Sequence, residues 1–529
     1  MANILLVCLD NQAYGPNIRV LSSLANGGGH RAWMLFFHKP APTYLRRFPE
    51  TPGELAGFER LLEELNIGVV GLSVMTHEFD RAVEVSKSAR KKGRHVIWGG
   101  IHPTVRPGEC LEHADAVCIA DAEGVFVPYL DALDAGGDRR LPSFVLKDED
   151  PEEVRKSGRI YIERDLDSVP VPDYTVEHCF YGAGDDVRPM TWDDYRRLNT
   201  WEGSYYRLLT SRGCMYHCSY CMNNFFWRCY GESSLRRRSP GNCIEELVQA
   251  REMMPFIRGV NIQDDSFFMG SDEWLTEFIA LYKEKINLPF VCRLIPKYTN
   301  RRRLALLADA RLIHVEVGLQ TGSRRMAHTV YERFQENENF LEVDALLSEY
   351  GVTKTYDTLV DNVYETPEDV LATLDVLLEL KRPYYIGAYS LTPFPGTEYY
   401  DKVVRDGLLG KMADAYNSPL YATNPDQYYT PKTLRRLIEA SPYTPNPILR
   451  YCGNHWRSNL VKWLAPFLMA WRNYVVGIIN WGRNKAPWFL QLALVLAALW
   501  GKLRLKRARK SGSLERTAEQ PVCDTEGVR

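Results

Sequence analysis

Two stretches of this chain, on either side of residues 141–200, each alternate short apolar runs with amphipathic helical segments. In the first, NILLVCL (3–9), AWMLFF (32–37), VVGLSV (69–74), HVIWGG (95–100) and AVCIAD (116–121) have the length and composition of buried strands. Helical patterns at 54–66 and 78–93 lie between them. Apolar strands spaced by helices build a parallel sheet covered on both faces. Residues 1–140 are therefore expected to form an α/β, Rossmann-like, doubly wound domain. Gly71 lies inside one strand and Gly99 and Gly100 end another, at the carboxyl edge where such sheets take ligands. No G-x-G-x-x-G follows the first strand, so the nicotinamide fingerprint is missing.

The second alternation runs through YRLLTSRG (206–213), RGVNIQD (258–264), FVCRLI (290–295), LIHVEVGL (312–319), TKTYDTLV (353–360) and YYIGAYSL (384–391). Helical patterns at 242–254, 272–285 and 367–381 separate strands, and the last opens on Thr366 as N-cap with Pro367 at the first helical position. Six β/α units over residues 201–430 predict a partial (β/α)6 TIM barrel, short of the closed eight. Residues 141–200, with the charge run DEDPEEVRKSGR and the proline-spaced DSVPVPDY, read as a connector.

The net charge of −2 hides a division. Residues 1–439 carry 51 Lys+Arg against 63 Asp+Glu, a balance of −12, and residues 440–529 carry 14 against 4, a balance of +10. Residues 440–514 hold no acid and twelve Lys+Arg. Within them APWFLQLALVLAALW (486–500) is fifteen residues long, short of the ~20 that span a bilayer. The region 431–510 is expected to be mainly helical. Its basic charge and Trp-rich segments (461–481) suit either peripheral contact at a membrane interface or a helical subdomain packed as a lid. The polar tail, 511–529, is expected to be disordered. The N-terminus has no basic region before a long apolar run, so no secretory signal is read, and the twelve cysteines are expected as reduced thiols in a cytoplasmic protein.

Residues 211–221, SRGCMYHCSYC, place three cysteines at C-x3-C-x2-C. Zinc sites with four thiolates usually pair two separated C-x2-C units. Three ligands to a four-iron cluster instead leave one iron open, and this loop follows the first barrel strand, at the mouth where barrels place their chemistry.

Cys214, Cys218, Tyr220 and Cys221 resemble the C-x3-C-x-aromatic-C signature of the radical S-adenosylmethionine (SAM) enzymes. The resemblance implies a [4Fe–4S] cluster on Cys214, Cys218 and Cys221, SAM on the open iron, and a 5′-deoxyadenosyl radical after one-electron cleavage. It also implies an electron donor such as flavodoxin or ferredoxin. By the same resemblance Tyr220 lies near the adenine, and Asp264 and Asp265 in QDDSF (263–267) are candidates for the SAM amino group. Gln320 stands where relatives often have Glu, with Glu316 as a second candidate, and Thr392 lies in LTPFPGT (391–397), a good match. LVDNVYETPED (359–369) departs from the Gly-x-Pro-Gly-Glu-Thr of many relatives.

The stretches VVGLSVMT (69–76), VIWGGIHPTVRPGECL (96–111) and ADAVCIADAEGVFVPYLDAL (114–133) resemble the cobalamin-binding domain of the B12-dependent radical SAM subgroup. Cobalamin is then expected against Ser73, Gly99, Gly100, His102, Thr104 and Glu123. No D-x-H-x-x-G supplies a lower histidine to cobalt. The implied activity is methylation of an unactivated carbon of a small-molecule or lipid-like substrate, through methylcobalamin and the deoxyadenosyl radical. Cyclisation or rearrangement without methyl transfer is the alternative, and a non-catalytic corrinoid or iron–sulfur sensor is the alternative of another class. No nucleic-acid partner is expected.

Overall fold

The computed structural model describes residues 1–10, 12–37, 51–199, 203–231, 235–412, 415–416 and 429–484. The chain divides into two compact units, Met1–Pro431 and Lys432–Arg529.

The first unit opens with β1 (Asn3–Cys8), β2 (Arg31–Phe36), β3 (Val69–Ser73), β4 (His95–Gly99) and β5 (Ala116–Cys118). They pair in the parallel order β5-β4-β3-β1-β2. This is the doubly wound order whose direction of winding reverses between β1 and β3, and the carboxyl edge at that reversal is where such sheets bind ligands. The strands read as apolar runs because both faces are covered: Ile4, Leu5, Leu6 and Val7 are all buried. One core joins Leu5, Val7, Leu35, Val70, Leu72, Val96 and Trp98 to the helices that cross the sheet. Helix Pro52–Glu64 begins where Pro52 follows Thr51, whose hydroxyl accepts from the Glu54 N–H while Glu54 reaches back, a complete capping box.

Residues 141–200, expected as a connector, add three short strands to this sheet. β6 (Phe144–Leu146) pairs antiparallel with β5, β7 (Cys179–Gly182) pairs parallel with β2, and β8 (Val187–Pro189) closes that edge antiparallel. Runs of three or four residues carry too little period to be read as strands, and they exist because partners lie beside them. The proline-rich piece is tied to helix Pro16–Gly27: buried Arg19 donates through Nη1 to the Asp173 carbonyl at 2.8 Å, and Ser22 Oγ donates to Asp173 Oδ2 at 2.7 Å.

The second sheet holds six parallel strands in chain order. They are β9 (Tyr205–Leu208), then after the two-residue pair β10 (Ser211–Arg212) and β11 (Arg236–Arg237), β12 (Gly259–Ile262), β13 (Phe290–Leu294), β14 (Leu312–Gln320), β15 (Thr353–Val360) and β16 (Tyr385–Ser390). The sequential all-parallel order is the partial barrel expected. Alternation sets the faces: on β15, Tyr356 turns outward and donates to Asp344 Oδ1 at 2.6 Å, while Asp357 turns the other way.

The second unit contains helices Lys432–Ala440, Asn446–Asn454 and Asn459–Asn484, cored by Leu434, Leu437, Leu449, Val461 and Ala465. The apolar run 486–500 and the tail 511–529 lie outside the described residues. Among the described residues no helix is long and apolar enough to cross a membrane.

Candidate functional site

The three cysteines occupy the loop between β10 and helix Met222–Tyr230. Gly213 turns the chain out of β10 at φ +88°, a conformation that needs glycine. Four bonds then hold the loop. Ser219 donates through N to the Tyr331 carbonyl (2.9 Å) and through Oγ to the Val330 carbonyl (2.6 Å), Tyr399 N donates to the Ser219 carbonyl (2.8 Å), and Cys221 N donates to the Cys218 carbonyl (3.0 Å). Cys221 is also the N-cap residue of helix Met222–Tyr230.

Cys214, Cys218 and Cys221 share one apolar cluster with Tyr216, Tyr220, Ile295 and Tyr298. Burial, then the neighbouring Cys218, pushes the Cys221 thiol up to about 12, and burial also raises Cys214. Thiols raised in this way become thiolates only beside a compensating positive centre, and bound iron is one. Among the described residues no three His, Cys, Asp or Glu side chains converge closely enough for one metal ion. A cluster gives each cysteine its own iron, so its ligands need not meet at a point. Every described cysteine is free, and the three-thiol pocket fits the group.

The residues expected around SAM are brought near this loop unequally. Tyr220 is inserted between the cysteine cluster and an apolar group that includes Leu359, Leu391 and Tyr399, with its ring edge-on to Tyr331 at 5.2 Å. Asp265 is exposed and accepts from Asn223 Nδ2 at 3.0 Å, within the helix that follows the cysteines. Gln320 ends β14 at φ +64°, and Thr392 follows β16 half-buried. Glu316 lies lower on β14 and accepts from Arg293 Nε at 2.9 Å.

Asp264, a candidate for the SAM amino group, has its carboxylate engaged by the protein itself. It is fully buried and turned toward the cysteine loop. Its Oδ1 accepts from Thr210 N (2.6 Å) and Ser211 N (3.3 Å), its Oδ2 accepts from Ser211 Oγ (2.7 Å) and also from the Thr210 hydroxyl, and Arg237 Nη1 lies 3.9 Å away. Burial raises its pKa even so, against the opposing effects of Arg237 and the hydroxyls. With its acceptors occupied, Asp264 clamps the end of β12 to the segment between β9 and β10 that enters the cysteine loop.

At the β1/β3 edge lies a mostly apolar cavity of about 330 Å³. Leu6, Gly71, Ser73, Gly99, Gly100 and Glu123 contribute to it from the first domain, and Val169, Pro170 and Pro172 from the connector. Arg207, Leu209, Ser211 and Arg212, from β9, β10 and the turn between them, line it as well. A cavity of this size suits one moiety of a large cofactor. At Gly99 an added Cβ would meet nothing nearer than 3.9 Å, so a larger residue there would fill space the glycine leaves open. At Gly100, which sits at φ +105°, an added Cβ would stand 3.0 Å from the Val74 backbone N and O, so the turn requires glycine.

Ser73, Gly99, Gly100 and Glu123 thus lie where a corrinoid was expected, whereas His102 and Thr104 are outside the cavity lining. The turn after Gly100 carries His102 into the protein interior, with Nδ1 3.2 Å from Thr76 Oγ1 and Nε2 2.9 Å from Glu109 Oε1. Thr104 braces two loops, donating to the Gly100 carbonyl at 2.7 Å and accepting from Ala120 N at 3.2 Å.

Two arginines went unnoticed in the sequence. Arg212, two residues before Cys214, pairs with Glu123 and lies 3.4 Å from Asp121. Burial pushes the Glu123 carboxyl up, but Arg212 outweighs it and holds the group below the usual carboxylate range. This ion pair ties the acid loop of the first domain to the entrance of the cysteine loop, and its adjacency to Gly213-Cys214 was the available signal. Arg333 is buried with Nη1 3.7 Å from Cys218 Sγ, and its distance from the cysteines in the chain left no signal.

Residues 208–377 match the family model of the Radical SAM superfamily, and residues 3–129 match the B12 binding domain. The chain is a radical SAM protein. Carrying a B12-binding domain ahead of the barrel, it belongs to the cobalamin-dependent radical SAM enzymes. The two domains imply a [4Fe–4S] cluster with SAM, and cobalamin.

A cytidylyl-2-hydroxyethylphosphonate methyltransferase of Streptomyces wedmorensis is 24% identical over 300 residues, 50% of this chain and 52% of that protein. The chain thus spans about half the length of that relative. A bacteriochlorophyllide d C-8(2)-methyltransferase of Chlorobaculum tepidum is 23% identical over 406 residues, 72% of this chain and 79% of that protein. An anaerobic magnesium-protoporphyrin IX monomethyl ester cyclase of Rubrivivax gelatinosus is 23% identical over 357 residues, 64% of this chain and 58% of that protein. Among solved structures, the radical SAM methyltransferase TsrM from Kitasatospora setae shares the fold at a TM-score of 0.58 and 17% identity, covering 77% of this chain and 76% of that one.

Proposed function

We propose that this enzyme methylates an unactivated carbon of a small-molecule or lipid-like substrate. The observation that carries the reading is the cavity at the β1/β3 edge, which is also lined by Ser211 and Arg212, directly ahead of Cys214. A methyl donor held by the first domain and a radical generated at the cysteine loop then act at one place. Two relatives are named methyltransferases, which supports the same outcome.

When bound, the cluster and SAM supply a carbon radical and the corrinoid supplies a transferable methyl group. The protein positions and shields them. Cys214, Cys218 and Cys221 hold the cluster, and Asp264 fixes the segment that leads into them. Tyr220, Asp265, Glu316, Gln320 and Thr392 are proposed to receive SAM. Ser73, Gly99, Gly100 and Glu123 are proposed to receive the corrinoid, with Gly99 leaving its space open. Arg212 keeps the two halves in register. A one-electron donor of the flavodoxin or ferredoxin type is the proposed reductant.

Incubation with methyl-labelled SAM tests this: label in the product is expected. Deoxyadenosine formed without transferred label would overturn methyl transfer in favour of cyclisation or rearrangement, the outcome that the cyclase relative favours.

The basic second unit is proposed to make peripheral contact with an anionic membrane surface. On helix Asn459–Asn484, Leu460, Trp463, Phe467 and Trp471 are 55%, 63%, 44% and 49% exposed, while Val461, Ala465 and Leu468 are buried. The four exposed residues fall within about 80° of the helix circumference at 3.6 residues per turn, an apolar stripe in an acid-free segment. The full chain should pellet with phosphatidylglycerol vesicles, and the W463S/F467S/W471S variant should not. Failure of the parent chain to pellet at low salt would remove the membrane reading.

A further inference from the structure

We infer that Arg333 is a positioning residue whose guanidinium, held against Cys218, sets the potential at which the cysteine-bound cluster accepts an electron. The inference rests on Cys214, Cys218 and Cys221 being the cluster ligands.

Arg333 is 9% exposed. Its Nη1 lies 3.7 Å from Cys218 Sγ, and its Nη2 donates to the Gly318 carbonyl at 3.1 Å and to Gln335 Oε1 at 3.2 Å. The guanidinium also lies over the Tyr216 ring, 4.8 Å from its centroid, and Tyr216 belongs to the cysteine cluster. Two carbonyl acceptors and an aromatic face therefore fix a planar cation against one sulfur.

Among the described residues no carboxylate lies within ion-pair distance of Arg333, and its Nε has no hydrogen-bond partner. A buried charge with no counter-charge is costly. An anionic thiolate site beside Arg333 offsets that cost, and each electron added to the site makes it more negative. A fixed cation on a ligand sulfur therefore favours the reduced state and raises the potential. Net charge and hydrogen bonds to the sulfurs are recognised controls on such potentials. The residue also has a mechanical role, since the Gly318 bond ties β14 to the loop, but anchoring alone does not move a potential in proportion to charge.

The test uses the full chain, reconstituted anaerobically with iron and sulfide. Iron content and four-iron absorbance are measured first. The cluster is then titrated with dithionite and followed by EPR for the parent chain, Arg333→Gln, Arg333→Lys and Gln335→Glu. Arg333→Gln should shift the couple to lower potential. Arg333→Lys, which keeps the charge, should stay near the parent value. Gln335→Glu places a carboxylate on Nη2 without altering volume and should shift the couple the same way as Arg333→Gln, by less. A fully loaded Arg333→Gln protein with the parent potential overturns the inference. If Arg333→Gln does not retain iron, an unchanged potential in Gln335→Glu overturns it instead. A parent chain that forms no four-iron centre overturns the ligand reading itself, a distinct failure visible before any titration.

Discussion

Replacing Asp264 by alanine should loosen the cysteine loop at its root. The carboxylate is fully buried and accepts from Thr210 N, Ser211 N and both hydroxyls. Serine and threonine hydroxyls can turn to other acceptors, but two buried backbone N–H groups cannot, and each orphaned donor costs about 1–3 kcal/mol. Arg237 keeps the Ser266 and Phe267 carbonyls as partners, and removing a carboxylate whose burial raises its pKa returns part of its desolvation cost. The balance is a loss of about 3–4 kcal/mol, a drop in melting temperature of about 10 °C for a domain of this size. Asp264→Asn retains an acceptor for both N–H groups, and its amide can donate to the hydroxyl oxygens, so it should lose only about 1 kcal/mol. The assay is thermal melting of the cluster-free chain, followed by iron content after reconstitution. Asp264→Ala should lose iron along with stability, while Asp264→Asn should keep most of both. If Asp264→Ala melts within about 2 °C of the parent, the clamp is wrong. If instead both variants melt normally and lose only SAM affinity, Asp264 serves the cofactor directly.

Cys218→Ala should abolish the four-iron absorbance and the EPR signal that responds to SAM, leaving the far-ultraviolet circular dichroism of the fold in place. Arg212→Glu sets a third acid against Asp121 and Glu123; corrinoid retention on desalting should fall at least about tenfold, for which a 1.4 kcal/mol loss suffices. Asp369 gives a pH dependence with a definite sign. Burial raises its carboxyl, but Arg325, Ser323 and the Thr366 cap outweigh this and bring it down to about 2. The native group thus binds its proton less readily than the unfolded one, so its stabilisation is present above about pH 4 and is lost as pH falls toward 2. Asp369→Asn should lower the urea midpoint at pH 6 by the equivalent of about 1–2 kcal/mol, discounted because Arg325 is half-exposed, and should flatten the acid limb below pH 4. An acid limb as steep in the variant as in the parent would assign that dependence elsewhere.

The strands β1–β5, β9 and β12–β16 and the cysteine loop were legible because each is written locally. An apolar run between helical patterns has one stable fate, as in residues 3–8 or 69–73, and three cysteines within eight positions need no distant partner to be noticed. The sequence by itself therefore determined two β/α units in this order and a three-thiol site at the mouth of the second. Only the tertiary structure decided what neighbouring residues do with one another. It made strands of 144–146, 179–182 and 187–189, which pair only because an edge lies beside them. It turned His102 inward to Thr76 and Glu109, consumed the lone pairs of Asp264 on Thr210 and Ser211, and brought Arg333 to Cys218 across 115 residues of chain. The physical reason is that periodicity and propensity act over a few residues, whereas burial, hydrogen-bond satisfaction and charge pairing depend on which surfaces meet. Where Arg212 joins Glu123, 89 residues apart in the chain, no local pattern contains the answer.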